Sequence, residues 1–277
     1  MIPLPAIALA RASHFQPTVA VTTIATGLAV AVGRGFGGTV AVMLAVLAGQ
    51  LSVGWSNDYL DRDRDRRAHR TDKPIVAGTV KARTVGIAAI VAAVACVPLS
   101  FLSGWRAALV HLAAVALAWA YNAGAKNTMF SVVPYVLSFG VLPVFVTLGL
   151  PGHPLPPWWA VVAAALLGAG AHFVNTLADL DDDERVGIRG LPHRVGARGS
   201  LVVAAVLLAS AVLVLTIAPS GGAGPLGIVL LVSALGAVVG VVVAGSTGHE
   251  RGAWSLTLYV AGLSVALFLA HGSALAT

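Results

Sequence analysis

Residues 57–65 read Asn-Asp-Tyr-Leu-Asp-Arg-Asp-Arg-Asp, and residues 175–183 read Asn-Thr-Leu-Ala-Asp-Leu-Asp-Asp-Asp. The two segments share one pattern, an asparagine followed by aspartates at the fourth, sixth and eighth positions after it. Each segment ends a long apolar stretch, so the residues at i, i+4 and i+8 are expected to form one stripe on a helix that leaves a hydrophobic layer. Carboxylates on such a stripe repel one another, which indicates a bound counter-ion. Mg²⁺ is the natural candidate because it prefers carboxylate oxygens and bridges them to phosphates.

Outside these two segments the chain is strongly apolar. Of its 277 residues, 58% are hydrophobic and 10% are charged, and its mean hydropathy is +0.90. Windows of about 20 residues without a charged side chain recur along the sequence, and each is long enough to cross a bilayer as a helix. We therefore predict an all-α, multi-pass membrane protein in which residues 1–277 form a single domain. No removable signal peptide is expected, because no basic patch precedes a short apolar run and a cleavage site.

Nine membrane-spanning helices are predicted. Their approximate bounds are residues 18–32, 39–56, 84–103, 107–121, 131–150, 158–177, 200–218, 224–245 and 253–271. If the N-terminus is cytoplasmic, 15 of the 17 lysines and arginines lie on the cytoplasmic side, together with all 11 acidic residues. Cytoplasmic loops carry excess Lys and Arg, so we expect the N-terminus and both Asp segments to face the cytoplasm from a bacterial cell membrane. The basic residues form no continuous exposed face, so binding of nucleic acid is not expected, and no feature indicates an obligate protein partner.

The recurrence of the Asn-Asp pattern indicates an internal duplication. The second copy lies 118 residues after the first, and each copy follows an even-numbered predicted span. Membrane proteins built from repeats place their binding sites at the interface between the repeats. We therefore expect a pseudo-symmetric helix bundle in which both carboxylate stripes face one central cavity.

The two Asp segments together predict a site for Mg²⁺ and a diphosphate. The predicted metal ligands are the asparagine and carboxylate oxygens of Asn57, Asp58, Asp61, Asp65, Asn175, Asp179 and Asp183. We assign the catalytic role to Asp61 and Asp179, which hold equivalent positions in the two copies. Metal ions that neutralise a diphosphate make it a better leaving group, and an attached allylic carbon would then leave as a stabilised carbocation.

Other side chains on the predicted cytoplasmic side fit the same chemistry. Guanidinium and ammonium groups bind phosphate oxygens, and the candidates are Arg11, Arg62, Arg70, Lys73, Lys126 and Arg189. His172 lies one to two helical turns deeper than Asn175 and Asp179 on the same predicted face, where it would contact the substrate. Tyr59 is a second candidate pocket residue, because aromatic ring faces stabilise cations.

The first Asp segment resembles the N-D-x-x-D-x-x-x-D motif of the UbiA superfamily of intramembrane prenyltransferases, and residues 179–183 resemble its second motif, D-x-x-x-D. Residues 70–78, Arg-Thr-Asp-Lys-Pro-Ile-Val-Ala-Gly, are similar to the family's R-T-x-x-R-P-x-x-x-G, although one residue shorter and with lysine for arginine. The resemblance implies nine helices, Mg²⁺-dependent ionisation of an isoprenyl diphosphate, and transfer of the prenyl group to a lipophilic acceptor that is often aromatic. It also implies metal ligation by Asn57, Asp61, Asp65, Asp179 and Asp183.

The chain departs from the family at one motif. The family has Y-x-x-x-K after its fourth helix, which implies that Tyr121 and Lys126 contact the diphosphate, yet here they are one residue further apart. On a continuous helix the extra residue turns Lys126 by about 100°. Gly124 is expected to end the helix and allow Lys126 to return.

Two other enzymatic functions remain compatible with the sequence, and a transporter is the non-enzymatic alternative. A terpene cyclase of the same superfamily would keep both Asp segments and need no acceptor. In a polyprenyl-phosphate phosphoribosyltransferase, the diphosphate would belong to the other substrate and not to the prenyl chain. A transporter would carry charged residues in the middle of its spans, whereas here the acidic residues lie where the spans end. The apolar walls do not identify the acceptor.

The polar residues 65–83 are expected to cover the cytoplasmic mouth of the cavity, because a carbocation must be kept from water.

Overall fold

The computed structural model describes residues 4–177, 180, 183, 187–220, 222 and 224–270. All regular secondary structure in these residues is helical, which confirms the all-α prediction. The helices are α1 (Leu4–Ala12), α2 (Phe15–Ala31), α3 (Gly35–Arg67), α4 (Ala82–Phe101), α5 (Trp105–Ala123), α6 (Val133–Gly140), α7 (Leu142–Leu148), α8 (Trp158–Leu177), α9 (Leu191–Ile217), α10 (Gly224–Ser246) and α11 (Glu250–Ala270), with a 3₁₀ turn at Ala125–Asn127.

Six of these helices are long and apolar enough to cross a membrane, namely α3, α4, α8, α9, α10 and α11. The helix α2 and the stretch Val133–Leu148 are apolar but shorter, so the count of nine spans stays a prediction. Large apolar side chains are exposed on the outside of the bundle, for example Ile90 and Val94 on α4 and Val229 and Val232 on α10. Such a surface suits lipid rather than water. The chain is therefore an integral membrane protein, while its orientation stays a prediction.

The fifth predicted span consists of two helices. The helix α6 ends at Gly140 and α7 begins at Leu142, with Val141 between them. Pro134 and Pro143 each lie in the first turn of their helix. Proline lacks the N–H group that a helix interior needs but is well tolerated in the first turn. The two prolines therefore begin helices instead of bending a single one.

The first Asp segment is entirely helical. The helix α3 has 33 residues and continues through the segment to Arg67. It packs extensively on α4, and α8, which leads into the second Asp segment, packs extensively on α9. In both halves, therefore, the helix that leads into the Asp segment packs against the next long helix in the chain. Close packing also joins α3 to the junction of α1 and α2, because a Cβ added to Gly54 would lie 2.0 Å from the carbonyl oxygen of Ser13.

Residues 68–81, which follow α3, form a loop attached to the cytoplasmic end of the bundle as the sequence orients it. Ile75 and Val80 are buried against Ala8 and Ala12 of α1. Several polar residues of the loop line the central cavity, including Lys73. The loop thus lies where a cover for the cavity mouth was expected, and apolar contacts hold it there.

Candidate active site

A central cavity of about 880 Å³ collects most of the residues that the sequence singles out. Ten of them line it, namely Arg11, Asn57, Asp61, Arg70, Lys73, Tyr121, Lys126, His172, Asn175 and Asp183. Deeper in the bundle the lining is mostly apolar, with Leu28, Val46, Leu142 and Leu208 beside the polar side chains of Gln50 and His111. The cavity therefore joins a charged mouth to an apolar chamber, and its volume is typical of a small-molecule site.

Asp61 lies at the centre of the charged mouth. The Lys126 Nζ atom lies 2.5 Å from its Oδ1 and 2.6 Å from its Oδ2, and the Arg64 Nη2 atom donates to Oδ2 at 2.7 Å. Burial lowers the pKa of the Lys126 ammonium, and the Asp61 carboxylate opposes that shift. Lys126 also interacts electrostatically with Asp183. One cation therefore lies between the two Asp segments and offsets their negative charge.

A break in the backbone lets Lys126 reach Asp61 despite the extra residue. The helix α5 ends at Ala123, and Gly124 follows with a φ of 152°. A 3₁₀ turn at Ala125–Asn127 then carries Lys126 back towards the cavity. Glycine tolerates this positive φ without strain. The change of direction expected at Gly124 is thus present.

The amide of Asn57 is oriented by a second asparagine. The Asn57 Nδ2 atom donates to the Oδ1 of Asn122 at 3.1 Å. Because the N–H group faces Asn122, the carbonyl oxygen of Asn57 is available to the cavity that the residue lines. A carbonyl oxygen in this position suits a hard cation.

Asp58 and Asp65 are both buried but differ in their partners. The Asp58 Oδ1 atom accepts from Lys73 Nζ at 2.8 Å and lies 3.1 Å from His14 Nε2. One position along a helix turns a side chain by about 100° from Asn57, so Asp58 joins the loop and the α1–α2 junction instead of lining the cavity. The Oδ1 atom of Asp65 has no hydrogen-bond partner among the described residues. Asp65 follows Asp61 on the same stripe, just outside the cavity lining.

Three further predicted residues lie outside the cavity lining. Tyr59 packs towards α4, where a Cβ on Gly86 would lie 2.9 Å from its ring. Arg62 lies over the Tyr59 ring at 4.5 Å from the centroid and donates to the Tyr59 carbonyl oxygen at 2.7 Å. Arg189 is exposed. Tyr59 contacts α4, Arg62 contacts Tyr59 and Arg189 is exposed, so the structure does not place these three predicted residues in the cavity lining.

The second Asp segment is described in part. Asn175 and Asp183 line the cavity, whereas Asp179 lies outside the described residues. Among the residues that the structure describes, no three His, Cys, Asp or Glu side chains lie close enough together to hold a metal ion. The carbonyl oxygen of Asn57, which lines the cavity, and the Oδ1 of Asp65, which accepts no hydrogen bond from the described residues and lies 3.9 Å from Arg64 Nη2, nevertheless fit Mg²⁺. This ion commonly takes one or two carboxylates together with phosphate oxygens.

An aromatic layer lies between the charged mouth and the apolar chamber. The Tyr121 ring lies 5.2 Å from that of Tyr135 and 5.7 Å from that of His172, and Tyr135 lies 6.1 Å from Phe139. His172 is held by Ser131, whose hydroxyl oxygen lies 3.1 Å from its Nε2 atom. Ring faces in such a layer stabilise a nearby cation.

A model of the UbiA prenyltransferase family matches residues 19–260. The chain is 30% identical over 244 residues to the bacteriochlorophyll synthase 33 kDa chain of Cereibacter sphaeroides, with 82% of this chain and 80% of that protein covered. The chain belongs to the UbiA prenyltransferase family. It is therefore a prenyltransferase, as the sequence predicted.

Other members of the family are less similar in sequence but share the fold. The chain is 25% identical over 166 residues to digeranylgeranylglyceryl phosphate synthase of Pyrococcus horikoshii, with 60% of this chain and 59% of that protein covered. The apo structure of a UbiA homolog from Aeropyrum pernix K1 has a TM-score of 0.76 at 20% identity over 91% of this chain and 96% of its own. A UbiA homolog from Archaeoglobus fulgidus bound to GPP and Mg²⁺ has a TM-score of 0.68 at 19% identity over 97% of this chain and 99% of its own.

Several residues of this UbiA-family site were missed by sequence reasoning. They are His14, Arg64, Asn122 and His193. The His193 Nε2 atom lies 3.5 Å from Asp183 Oδ2, and neither ring nitrogen has a hydrogen-bond partner among the described residues. Arg64 had a usable signal, because it follows Asp61 by three residues and opposite charges at i, i+3 pair on a helix. Asn122 had a second one, because an amide that directly follows an apolar span needs a hydrogen-bond partner when it is buried. The contacts of His14 and His193 depend on the tertiary structure.

Proposed function

We propose that this enzyme ionises an isoprenyl diphosphate in a Mg²⁺-dependent reaction and transfers the prenyl group to a lipophilic acceptor in the membrane. The observation that carries the proposal is the order of surfaces along one cavity, from charged mouth through aromatic layer to apolar chamber. A diphosphate with an apolar tail has the same order of chemistry along its length. The UbiA homolog of Archaeoglobus fulgidus bound to GPP and Mg²⁺ supports this choice of substrate and metal.

The residues of the mouth bind the diphosphate and hold the metal. Asn57, Asp61, Asp65 and Asp183, together with Asp179, would hold Mg²⁺, which neutralises the diphosphate and makes it a better leaving group. Lys126 and Lys73 line the mouth, where Lys126 is paired with Asp61 and Lys73 with Asp58, and both ammonium groups would bind phosphate oxygens of the substrate. When each lysine exchanges its carboxylate partner for a phosphate oxygen, the positive charge of its buried ammonium group still has a negative partner.

The reaction breaks the allylic C–O bond, and its electron pair leaves with the diphosphate. The resulting allylic cation lies at the level of the Tyr121 and Tyr135 rings, whose faces stabilise it. The acceptor then forms a new bond to the allylic carbon and loses a proton. The loop of residues 68–81, docked on α1, keeps water from the cation, because capture by water would give an alcohol instead.

Product analysis with purified protein tests the proposal. Geranylgeranyl diphosphate and Mg²⁺ are incubated with and without candidate acceptors, and pyrophosphate and prenylated products are measured. We expect pyrophosphate release that stops when the metal is chelated, and a prenylated product with at least one lipophilic acceptor. A cyclic hydrocarbon or alcohol formed without an acceptor would indicate the terpene cyclase instead, and no consumption of the diphosphate under any condition would refute the proposal.

A further inference from the structure

Asn122 is a buried amide at the end of α5 that is held by α3. Its Nδ2 atom donates to the carbonyl oxygen of Val53 at 2.9 Å and to the Ser56 Oγ atom at 2.8 Å. An amide nitrogen has two N–H groups, so both of its donors are used. The carbonyl oxygen of Asn122 must therefore face the remaining neighbour, which is Asn57.

Chemistry fixes this orientation of Asn122. A reversed amide would place its oxygen against the Val53 carbonyl oxygen, which is also an acceptor. It would place the same oxygen against the Ser56 hydroxyl, whose proton is already donated to the Val53 carbonyl at 2.8 Å. Buried acceptors that face one another are strongly disfavoured. Only the observed orientation satisfies all of these groups.

The fixed oxygen of Asn122 in turn determines how Asn57 is presented to the cavity. With its N–H group 3.1 Å from Asn122 Oδ1, Asn57 turns its own carbonyl oxygen the other way. The reversed amide would bring two carbonyl oxygens together and would be about tenfold to a hundredfold less populated. Mg²⁺ binds oxygen ligands, so only one of the two orientations is competent.

We infer that Asn122 is a positioning residue for the metal site, which selects the metal-binding orientation of Asn57. The inference rests on the proposed function, in which Asn57 is a metal ligand. Residues that orient a metal ligand typically affect metal affinity by about tenfold to a hundredfold when they are replaced. The chain of contacts runs from Val53 and Ser56 through Asn122 to Asn57, and it links α5 to the first Asp segment.

Two substitutions at position 122 separate positioning from simple packing. Asn122→Leu keeps a similar size but leaves the Asn57 N–H group without an acceptor. Asn122→Asp loses both donors yet still offers a carboxylate oxygen to Asn57, so the orientation of Asn57 is retained. Trp119→Phe is the matched control, because Trp119 donates to Ser52 Oγ at 3.2 Å between the same two helices and does not line the cavity.

Metal binding is measured by isothermal titration with Mn²⁺ in the presence of inorganic pyrophosphate, on protein that elutes as a single species from size exclusion. We expect the leucine variant to bind Mn²⁺ about tenfold more weakly than wild type, and the aspartate variant to remain within about threefold. The control is expected to match wild type. Asn122→Ala replaces the leucine variant if that protein aggregates.

A purely structural role for Asn122 predicts the reverse ranking, because an aspartate places a negative charge beside the Val53 carbonyl oxygen. Weak binding by the aspartate variant, or unchanged binding by the leucine variant, would therefore overturn the inference. If wild type binds no Mn²⁺ with pyrophosphate, both the metal site and the role of Asn122 are refuted. If Mn²⁺ binding follows the expected ranking but no diphosphate is consumed, only the proposed reaction fails.

Discussion

Replacement of Asp61 should destabilise the protein as well as inactivate it. Asp61→Ala removes the carboxylate that faces Lys126 and Arg64, whose side chains are only 10% and 17% exposed. Breaking a buried ion pair from one side typically costs about 3–5 kcal/mol, because the remaining charge is left without compensation. The spacing of the aspartates alone predicts little effect on folding, because the substitution also relieves repulsion between carboxylates. The two cations decide the sign, so we expect a loss of about 3 kcal/mol.

A double-mutant cycle isolates this contribution. Lys126→Ala also breaks the pair, but Arg64 remains as a partner of Asp61, so a smaller loss of about 1–2 kcal/mol is expected. The double variant, Asp61→Ala with Lys126→Ala, should be less destabilised than the sum of the two by about 2 kcal/mol, because it leaves fewer buried charges unpaired. Unfolding of the purified protein in detergent, followed by far-ultraviolet circular dichroism, measures all four species.

Asp63 provides the control within the same segment. Its side chain is 64% exposed and pairs with an exposed Arg66 at 3.0 Å. Solvent screens such a pair, so Asp63→Ala should change stability by less than about 0.5 kcal/mol and leave pyrophosphate release intact. If the Asp61→Ala variant is as stable as wild type, or if the two substitutions are strictly additive, the ion pairs of Asp61 do not stabilise the fold.

Two further predictions follow from close contacts near the mouth of the cavity. Gly54→Ala should destabilise the protein by about 1–3 kcal/mol, because the added Cβ would lie 2.0 Å from the Ser13 carbonyl oxygen. Gly37→Ala in the same helix is the control: its Cβ would meet nothing within 4 Å, so the variant should be as stable as wild type or slightly more stable. Thermal unfolding of the two variants makes the comparison, and equal midpoints would contradict the packing argument. Lys73→Met should raise the KM for geranylgeranyl diphosphate more than it lowers kcat, because the substitution removes a phosphate-binding charge. It should also lower the stability of the protein, because the buried Asp58 carboxylate loses its partner at 2.8 Å. Steady-state kinetics test the first effect, and an unchanged KM would exclude Lys73 from the diphosphate site.

The sequence by itself determined the class of fold and the type of chemistry. Long uncharged windows can be stable only as lipid-embedded helices, so the all-α membrane bundle follows from composition. Carboxylates at i, i+4 and i+8 must share a helix face whatever the tertiary structure, which is why the stripe of Asn57, Asp61 and Asp65 was predictable. The change of direction at Gly124 was also within reach, because glycine adopts backbone angles that end a helix.

Only the tertiary structure decided which side chain meets which partner. Asp58 and Asp61 are three residues apart and chemically identical, yet one holds Lys73 and His14 while the other holds Lys126 and Arg64. The difference arises because their faces of α3 meet different neighbours, and no local pattern records what lies opposite a helix face. The pairing of Asn57 with Asn122 across 65 residues of sequence is of the same kind. Helical periodicity fixes the direction of a side chain relative to its own helix, whereas the packing of the bundle fixes what that side chain contacts.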